Sequence, residues 1–458
     1  MTSISDALDF AKQTFGKADL GDARRTQRLV DAAAALASHP GASIPAACED
    51  NPARMEGMYK LLRNDDVRPQ DIQTAAFDAT ALAAQGEGHE GDLLLIHDTT
   101  SISPVHALRE ELRTKPGSPA GYEVHTGLLV SAATGVPIGV LGQLVWSRAT
   151  PQSERLMTIE SEKWRRLDEQ THQREIDQTR LIRVADRESD VFEYIEFLDE
   201  NKHRFVLRAA QNRRITRQGE HEYLWQVAQH APVIGQRVIT VEQRGGQKKG
   251  LEQSARDARA RREITTTLRA TQVEVKQPGG NKTLSINLVY VSSEDGELEW
   301  LLLTRESIDT LEDVQRVVKY YEFRWLIEQF HKSWKTGCKI EERKMGSLEN
   351  FLRMMAITMP IAVRLLHLQI LANLPDNAAP ATEVLSLSEL QVLWAKVERV
   401  PLPDTIPSCR WAYVAIAKIA GWTDSKRTGR IGLDTLWRGM ERLAALAEGW
   451  QIARALEK

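Results

Sequence analysis

The chain has 458 residues, of which 42% are hydrophobic and 27% charged, and its net charge is −3. This length exceeds one ordinary hydrophobic core and predicts several domains, while the composition excludes wholesale disorder. The near-neutral balance decides nothing about a nucleic-acid partner, because a binding surface needs only local clustering of Lys and Arg. Three widely separated cysteines indicate neither a disulfide framework nor a zinc knuckle, so any metal is expected on oxygen ligands.

The first 70 residues predict a compact helical module. Apolar residues between 55 and 62 repeat at helical spacing, and Pro40 follows an earlier helix that carries Arg24, Arg25 and Arg28. Acidic and basic residues are nearly balanced in this module. Its residues alone therefore do not establish a DNA-binding function.

From about residue 91 the pattern changes to apolar runs typical of buried strands. The first four are at 93–98, 125–132, 136–146 and 181–186, and five more follow between 204 and 304. Strands that are apolar on both faces require helices on both sides of the sheet, which predicts an α/β domain. Within it, residues 210–298 predict a mostly antiparallel β insertion, and a basic run at 244–262 is a candidate phosphate contact or, equally, a solvated loop.

The last part of the chain predicts a separate helical module. A proline-bounded stretch at 374–380 precedes it, and a capping box at Ser386–Glu389 begins its first helix. The longest apolar run of the chain, 354–363, covers about half of a membrane span. The N-terminus lacks the basic flank and apolar core of a signal peptide. We therefore expect no membrane association and a cytoplasmic location.

Three acidic residues are candidate metal ligands. Asp98 and Asp186 each follow an apolar strand, where ligand sites of α/β sheets gather, and Glu328 lies in a segment of helical spacing. An all-oxygen site suits Mg²⁺ or Mn²⁺, and two ions about 4 Å apart serve in-line phosphoryl displacement. For each aspartate taken singly, the alternative is that it simply caps the next turn or helix, as aspartates after strands often do.

The segment YYEFRWLIEQFHKSWK, residues 320–335, predicts one helix with a polar stripe. At about 100° per residue, Tyr321, Arg324, Glu328 and Lys335 share a narrow face. The two cations would bind phosphate oxygens, and the phenol would add a neutral hydroxyl. The alternative is a solvated helix face with i,i+4 ion pairs.

With these motifs the chain resembles the bacterial cut-and-paste DDE transposases of the transposon Tn-five type, in the insertion-sequence-four-like family. The resemblance rests on YxxR(x3)E(x6)K in 321–335, on DTT at Asp98 and on DRE at Asp186, and it extends over nearly the whole chain. It implies an RNase H-like catalytic domain at 71–373 with the β insertion at about 210–298. It also implies a transposon-end-binding domain at 1–70 and a helical dimerisation domain at 374–458.

The resemblance implies a metal-dependent reaction on DNA. Asp98, Asp186 and Glu328 would hold two Mg²⁺ or Mn²⁺ ions. Water nicks one strand at the transposon end, the freed 3′-hydroxyl forms a hairpin, a second water opens it, and the end is joined to target DNA. The partners would be double-stranded DNA with terminal inverted repeats, target DNA and a second copy of the chain. A nucleoid-associated cytoplasmic protein is expected.

The resemblance also implies DNA contacts. Trp300 would stack on a flipped base, for which a core tryptophan is the alternative, and Arg208 would lie near the transferred strand, for which the alternative is a sheet-edge salt bridge. The other expected contacts are Tyr321, Arg324, Lys335, His331, Lys332, Arg24, Arg25 and Arg28. Two other functions stay open: an inhibitory relative that binds DNA without cutting, and a nuclease that cuts without joining.

Overall fold

The computed structural model describes residues 7–49, 51–86, 89–105, 112, 120–147, 157–217, 220–241, 262–374, 379–425 and 431–456. The basic run at 244–262 lies outside these residues except for its last member, Arg262. The chain forms two compact units, one of residues 1–180 with 325–458 and one of residues 181–324. The three domains expected from the sequence stay a prediction.

The described residues form a mixed α/β structure rich in helices. The helices are α1 (Ala7–Phe15), α2 (Ala23–Ser38), α3 (Ile44–Ala47), α4 (Pro52–Leu62), α5 (Pro69–Ala83), α6 (Met157–His172), α7 (Phe192–Glu200), α8 (Leu224–His230), α9 (Leu311–Glu322), α10 (Trp325–Lys332), α11 (Leu348–Leu371), α12 (Leu387–Glu398), α13 (Cys409–Ile419) and α14 (Leu433–Leu456). The strands are β1 (Leu93–Ile102), β2 (Tyr122–Ser131), β3 (Pro137–Ser147), β4 (Leu181–Ala185), β5 (Arg204–Arg208), β6 (Arg214–Arg217), β7 (Glu220–Tyr223), β8 (Val233–Val241), β9 (Arg262–Lys276), β10 (Thr283–Ser293) and β11 (Glu299–Thr304).

Side-chain caps fix where the N-terminal helices begin. Asp22 accepts the Arg24 amide at 2.8 Å before α2, and Asn51 accepts the amides of the first turn of α4. Pro52 is the first residue of α4 and Pro69 the first residue of α5. Proline lacks a backbone N–H, but at the first position of a helix that N–H would have no hydrogen-bond partner within the helix. These local signals produce the helical module that the sequence predicts for the first 70 residues.

Three antiparallel strands form the sheet of the first unit, in the order β3, β2, β1. The turn between β2 and β3 uses Gly135 at φ 75°, a left-handed conformation that favours glycine. Helices α5 and α6 pack against β3. The strands are buried along most of their length because helices cover the sheet, as the apolar runs predict.

The remaining helices of the first unit pack into an apolar core. α11 is long and apolar enough to cross a membrane, but 72% of its most apolar stretch is buried in the protein, as in a core helix.

The predicted capping box at the start of α12 is present: the Ser386 hydroxyl accepts the Glu389 amide, and the Glu389 carboxylate accepts the Ser386 amide. Helices α12, α13 and α14 then share one hydrophobic cluster around Leu393, Ile416 and Leu443.

The second unit is built on its own strands. Here β4 and β5 are parallel and are followed across the sheet by β11, β10, β9, β6 and β7, while β8 pairs with β9. Every described pairing from β5 to β7 is antiparallel. The antiparallel strands expected within 210–298 therefore form, and they continue the sheet that begins with the parallel pair.

The prediction of one continuous helix through 320–335 is wrong. α9 ends at Glu322, and the Arg324 amide donates to the Tyr321 carbonyl at 3.0 Å, a tighter turn that interrupts the α-helical ladder. α10 starts at Trp325 and passes into a π-helical turn at Ser333–Gly337. The four polar positions therefore do not share the face of a single helix.

Candidate active site

Asp98 lies inside a strand, which corrects the prediction that the strand ends there. β1 continues to Ile102 because the polar residues after Asp98 still pair with β2, with Asp98 opposite Thr126. The Asp98 carboxylate accepts the Thr99 amide at 2.8 Å. Its side chain is 20% exposed, so water and ions can reach it.

Helix α10 packs against the strand that carries Asp98. His331 on this helix brings its Nδ1 to 3.7 Å from Oδ2 of Asp98. Glu328 precedes His331 by three residues, so the two side chains lie on the same side of the helix. Glu328 is also in the first helical turn, where the helix dipole favours a carboxylate. The first unit thus brings Asp98 and the helix of Glu328 together through His331.

The imidazole beside Asp98 is neutral at pH 7. Burial, with the charge of Lys335 as a second cause, lowers the pKa of His331 to about 3. Its approach to Asp98 is therefore not a salt bridge. Beneath it, His125 is fully buried and hydrogen-bonds Thr99 Oγ1 at 3.0 Å, and His97 packs edge-on against His125. Burial also lowers the pKa of His125 well below 6.5.

Two lysines that follow Glu328 have different surroundings. Lys335 lies half-buried in the π-helical turn, close enough to His331 to affect its pKa. π-Helical turns inside helices are frequent at functional sites. Lys332 contacts α14, with its ammonium 3.5 Å from the Asp434 carboxylate. A DNA contact by Lys332 therefore has to compete with this exposed ion pair.

Asp186 follows β4 in the second unit and caps a short turn. Its carboxylate accepts the Glu188 amide at 3.0 Å, and its carbonyl accepts the Ser189 hydroxyl at 2.7 Å. The turn ends at Asp190, whose buried carboxylate accepts the amides of residues 210 and 211 and pairs with Arg213 at 2.6 Å. This buried pair fixes the backbone that presents Asp186.

Basic and aromatic residues surround the same edge of the sheet. Because β4 and β5 are parallel and Ala185 pairs with Leu207, the residues that follow this pair, Asp186 and Arg208, lie side by side where β4 ends. Arg208 donates to the Glu299 carbonyl at 2.9 Å, on the strand that carries Trp300. Arg208 therefore contacts the backbone of the neighbouring strand, and its role near the transferred strand stays a prediction.

Tyr321 completes the group in the second unit. Its ring meets the ring of the half-buried Trp300 edge-on, with centroids 5.0 Å apart, and the base-stacking role of Trp300 stays a prediction. Burial raises the pKa of Tyr321, the charges of Arg208 and Arg324 oppose that rise, and Asp186 adds to it. The phenol is thus a neutral hydroxyl among two guanidinium groups and a carboxylate.

The donor set fits a hard divalent cation. Asp98, Asp186 and Glu328 offer only oxygen atoms, which suit Mg²⁺ or Mn²⁺, and all three side chains are half-buried. Over the described ranges, no three His, Cys, Asp or Glu side chains are grouped closely enough to hold a metal ion. Asp98 and Glu328 belong to the first unit and Asp186 to the second. Convergence of the three carboxylates stays a prediction.

The three N-terminal arginines lie along α2. Arg24 is exposed and pairs with Asp22 at the start of the helix, and Arg28 is exposed one turn later. Arg25 is half-buried, donates to the Leu20 carbonyl and pairs with Asp66. Exposed ion pairs contribute little to stability, so the pairing of Arg24 leaves it available to a stronger phosphate partner.

Two family models match the chain. Residues 7–67 match the model described as Transposase DNA-binding, and residues 160–362 match the model described as Transposase DDE domain. The chain carries a transposase DDE domain. Such a domain implies metal-dependent phosphoryl transfer on DNA, and the two matches together support a DNA transposase function. The DDE match includes Asp186 and Glu328 and begins after Asp98.

Two kinds of residue around the candidate site were not predicted from the sequence. Asp190 follows Asp186 by four residues, and this second aspartate in the run ADRESD was the one sequence signal that the turn has a supporting residue. His97 and His125 stand within apolar strands, where the sequence pattern indicates only burial. Their grouping around the strand of Asp98 depends on the pairing of β1 with β2.

Proposed function

We propose that this protein is a cut-and-paste DNA transposase of the transposon Tn-five type. The observation that carries the proposal is the coincidence of the DDE match with the group Asp186, Arg208, Trp300 and Tyr321. A carboxylate beside guanidinium groups and a half-buried aromatic ring suits a phosphodiester whose neighbouring base has left the stack. A site for a small molecule alone would not need this combination of phosphate-binding guanidinium groups and a base-stacking ring.

The metal ligands in this proposal are Asp98, Asp186 and Glu328, with two Mg²⁺ or Mn²⁺ ions. Bound there, the ions would supply Lewis-acid stabilisation of the attacking and leaving oxygens. The chain's own cations act on the non-bridging oxygens: Arg324 and Lys335 orient the phosphodiester, and Tyr321 donates a hydroxyl without adding charge. Because His331 is neutral, it does not add a positive charge of its own to those of the metal ions and Lys335 near the carboxylates.

The proposed reaction runs through a hairpin on the transposon end. Water cuts one strand, the freed 3′-hydroxyl attacks the opposite strand, and a second water opens the hairpin before strand transfer into target DNA. The role of Trp300 is to stack on the base that the tight hairpin turn displaces. Its half-buried position beside Tyr321 supports this role, since one face of a core ring would be closed by packing.

The proposal assigns each part of the chain a partner. The module at 1–70 binds the inverted repeats, with Arg24, Arg25 and Arg28 on phosphates and His331, Lys332 and Arg208 as further contacts. An RNase H-like domain with its β insertion performs the chemistry. The helices of 374–458 join two copies on DNA. The three antiparallel strands of the first unit and the parallel pair β4–β5 of the second support the RNase H-like assignment.

An assay with a pre-cut transposon end and a target plasmid tests this function. The duplex carries the inverted repeat that flanks the coding sequence, and Mg²⁺ is supplied. Products joined through the 3′-hydroxyl are expected. Nicked plasmid without joined products would instead identify a nuclease, and binding without cutting would identify an inhibitory relative.

A further inference from the structure

Three arginines near the end of the DDE match donate to backbone carbonyls of the N-terminal helices and of the turns that follow them. They are Arg343, Arg353 and Arg364, and the carbonyls that they contact among the described residues lie in the first compact unit. The carbonyls belong to the segment that matches the transposase DNA-binding model, except for one at Cys338. The contacts therefore join two segments that the family models recognise separately.

Arg353 binds the end of α4. It is 3% exposed, and its Nη1 donates to the Leu62 carbonyl at 2.9 Å while Nε donates to the Val67 carbonyl at 2.6 Å. The last carbonyls of a helix have no partner within the helix and carry partial negative charge. The guanidinium satisfies these acceptors and complements their charge.

Arg343 connects the turn after α2 with the turn that carries Lys335. Its Nη2 donates to the Pro40 carbonyl at 2.6 Å and its Nη1 to the Ala42 carbonyl at 3.1 Å. Its Nε donates at 3.1 Å to the carbonyl of Cys338, the residue that ends the π-helical turn. One side chain thus spans the DNA-binding segment and the turn of a proposed phosphate contact.

Arg364 contacts α2 itself. Its Nη1 donates at 2.9 Å to the carbonyl of Ala37, in the last turn of the helix that carries Arg24 and Arg28. Its guanidinium also lies over the Phe10 ring of α1, 5.7 Å from the centroid. The helix with the proposed end contacts is therefore held at its C-terminal end.

We propose that Arg343, Arg353 and Arg364 form a clamp that sets which phosphodiester is cut. The clamp holds α2 in a fixed register with the Glu328–Lys335 segment, so that DNA gripped by α2 reaches the carboxylates at one position. This inference rests on the proposed function. The three arginines are positioning residues: a guanidinium holds its five N–H donors in a rigid planar fork, which suits carbonyls at fixed positions better than the freely rotating ammonium of lysine does.

The position of cleavage on an end-labelled duplex tests the clamp. The wild-type protein is expected to cut at one phosphodiester. Arg343→Gln is expected to spread the cuts over neighbouring positions and to lower cleavage at the wild-type position about a hundredfold, since small misplacements have large effects on rate. Its affinity for the duplex should stay within about a factor of two, because the phosphate contacts are unchanged.

Arg269→Gln is the matched control. Arg269 also donates to a backbone carbonyl, that of Ala231 at 2.8 Å, but within the second unit. This variant should cut where the wild type cuts. Hydrogen exchange provides a readout without DNA: the amides of residues 23–42 should exchange faster in Arg343→Gln than in the wild type, and at the wild-type rate in Arg269→Gln.

The outcomes separate the two proposals. If the wild type does not cut the duplex, the proposed function fails. If the wild type cuts and Arg343→Gln cuts at the same single position and rate, the clamp is overturned even where exchange is faster. Should Arg343→Gln fail to fold, Arg343→Lys decides: it keeps the charge, loses the planar fork, and is expected to show the same spread of cuts.

Discussion

The surroundings of Asp98 and of Asp186 differ in charge. Around Asp98 the first unit places His331 and His125, which burial keeps neutral. Around Asp186 the second unit places Arg208 and Arg324, together with a neutral phenol. One carboxylate therefore lies against uncharged buried rings and the other beside permanent cations.

This difference suggests two roles within the proposed site, metal binding at Asp98 and phosphodiester binding beside Asp186. The neutral ring of His331 adds no positive charge beside Asp98, which suits a metal cation there. Fixed guanidinium groups near Asp186 suit an anionic phosphodiester that arrives with the ions. In the proposed site the second unit would supply one metal ligand together with the guanidinium groups that hold the DNA, and the following changes test that contrast.

Asp186→Ala should have the largest effect. Losing one carboxylate from a two-ion site removes several kcal/mol of transition-state stabilisation, so Mg²⁺-dependent cleavage should fall by about a thousandfold or more. Binding of end DNA should persist because the arginines remain. Asp199→Ala is the control, since Asp199 pairs with Arg305 in the same unit. Undiminished cleavage by the Asp186 variant would rule out its assignment as a ligand.

Arg213→Met tests the support beneath Asp186. It leaves the buried Asp190 carboxylate without its cation, which typically costs about 3–5 kcal/mol of unfolding free energy. Urea denaturation measures the loss. The control is Arg165→Met, which breaks the exposed pair with Glu169 and should cost at most about 1 kcal/mol. Equal losses in the two variants would show that Asp190 needs no buried partner.

His125→Gln tests the neutrality of the rings near Asp98. The folded pKa of His125 lies well below 6.5, so below pH 6.5 the unfolded chain binds a proton that the folded chain does not. Stability from this residue is thus present above pH 6.5 and declines as the pH falls, by about 1 kcal/mol between pH 6.5 and 5.5 and by at most about 1.4 kcal/mol per pH unit below that.

Urea denaturation at pH 6.5, 6.0 and 5.5 measures this dependence. Stability of the His125→Gln variant should fall less steeply with acid than that of the wild type. A change at His230, which lies on the surface, should leave the slope as it is. An unaltered slope in His125→Gln would mean that the ring is already protonated in the folded protein.

Arg324→Ala should have the smallest effect, on DNA affinity. Removing one phosphate contact lowers the slope of log affinity against log salt by about 1. Titrations of a labelled duplex between low and moderate salt give this slope. Arg237→Ala, which breaks an ion pair with Glu322 in the same unit, is the control and should keep the wild-type slope. If Arg324→Ala also keeps it, Arg324 does not contact phosphate.

Most strands could be predicted from the sequence, because a strand that is buried on both faces consists of a continuous run of apolar residues. The run at 181–186 predicts β4, and the run at 300–304 predicts β11, each within one residue of the observed bounds. β1 was predicted too short, since Thr99 and the residues after it are polar. Their pairing with β2 is a tertiary effect that a local pattern does not contain.

The arrangement of the candidate site was harder to predict from the sequence than the strands were. Helical spacing assumes an unbroken helix, whereas the chain between Tyr321 and Glu328 turns at Phe323 and Arg324. The clamp arginines also gave no signal, because Arg343 and Arg353 look like ordinary charged residues of amphipathic segments. Their burial depends on carbonyls about 300 residues away in the chain.

A crystal structure of the protein with Mn²⁺ and its transposon-end duplex tests the central claim most directly, because anomalous scattering locates the ions. The account predicts Mn²⁺ at about 2.1 Å from carboxylate oxygens of Asp98, Asp186 and Glu328, next to one phosphodiester. Ions held by other residues, or a DNA-bound complex in which one of these three carboxylates ligates nothing, would contradict it.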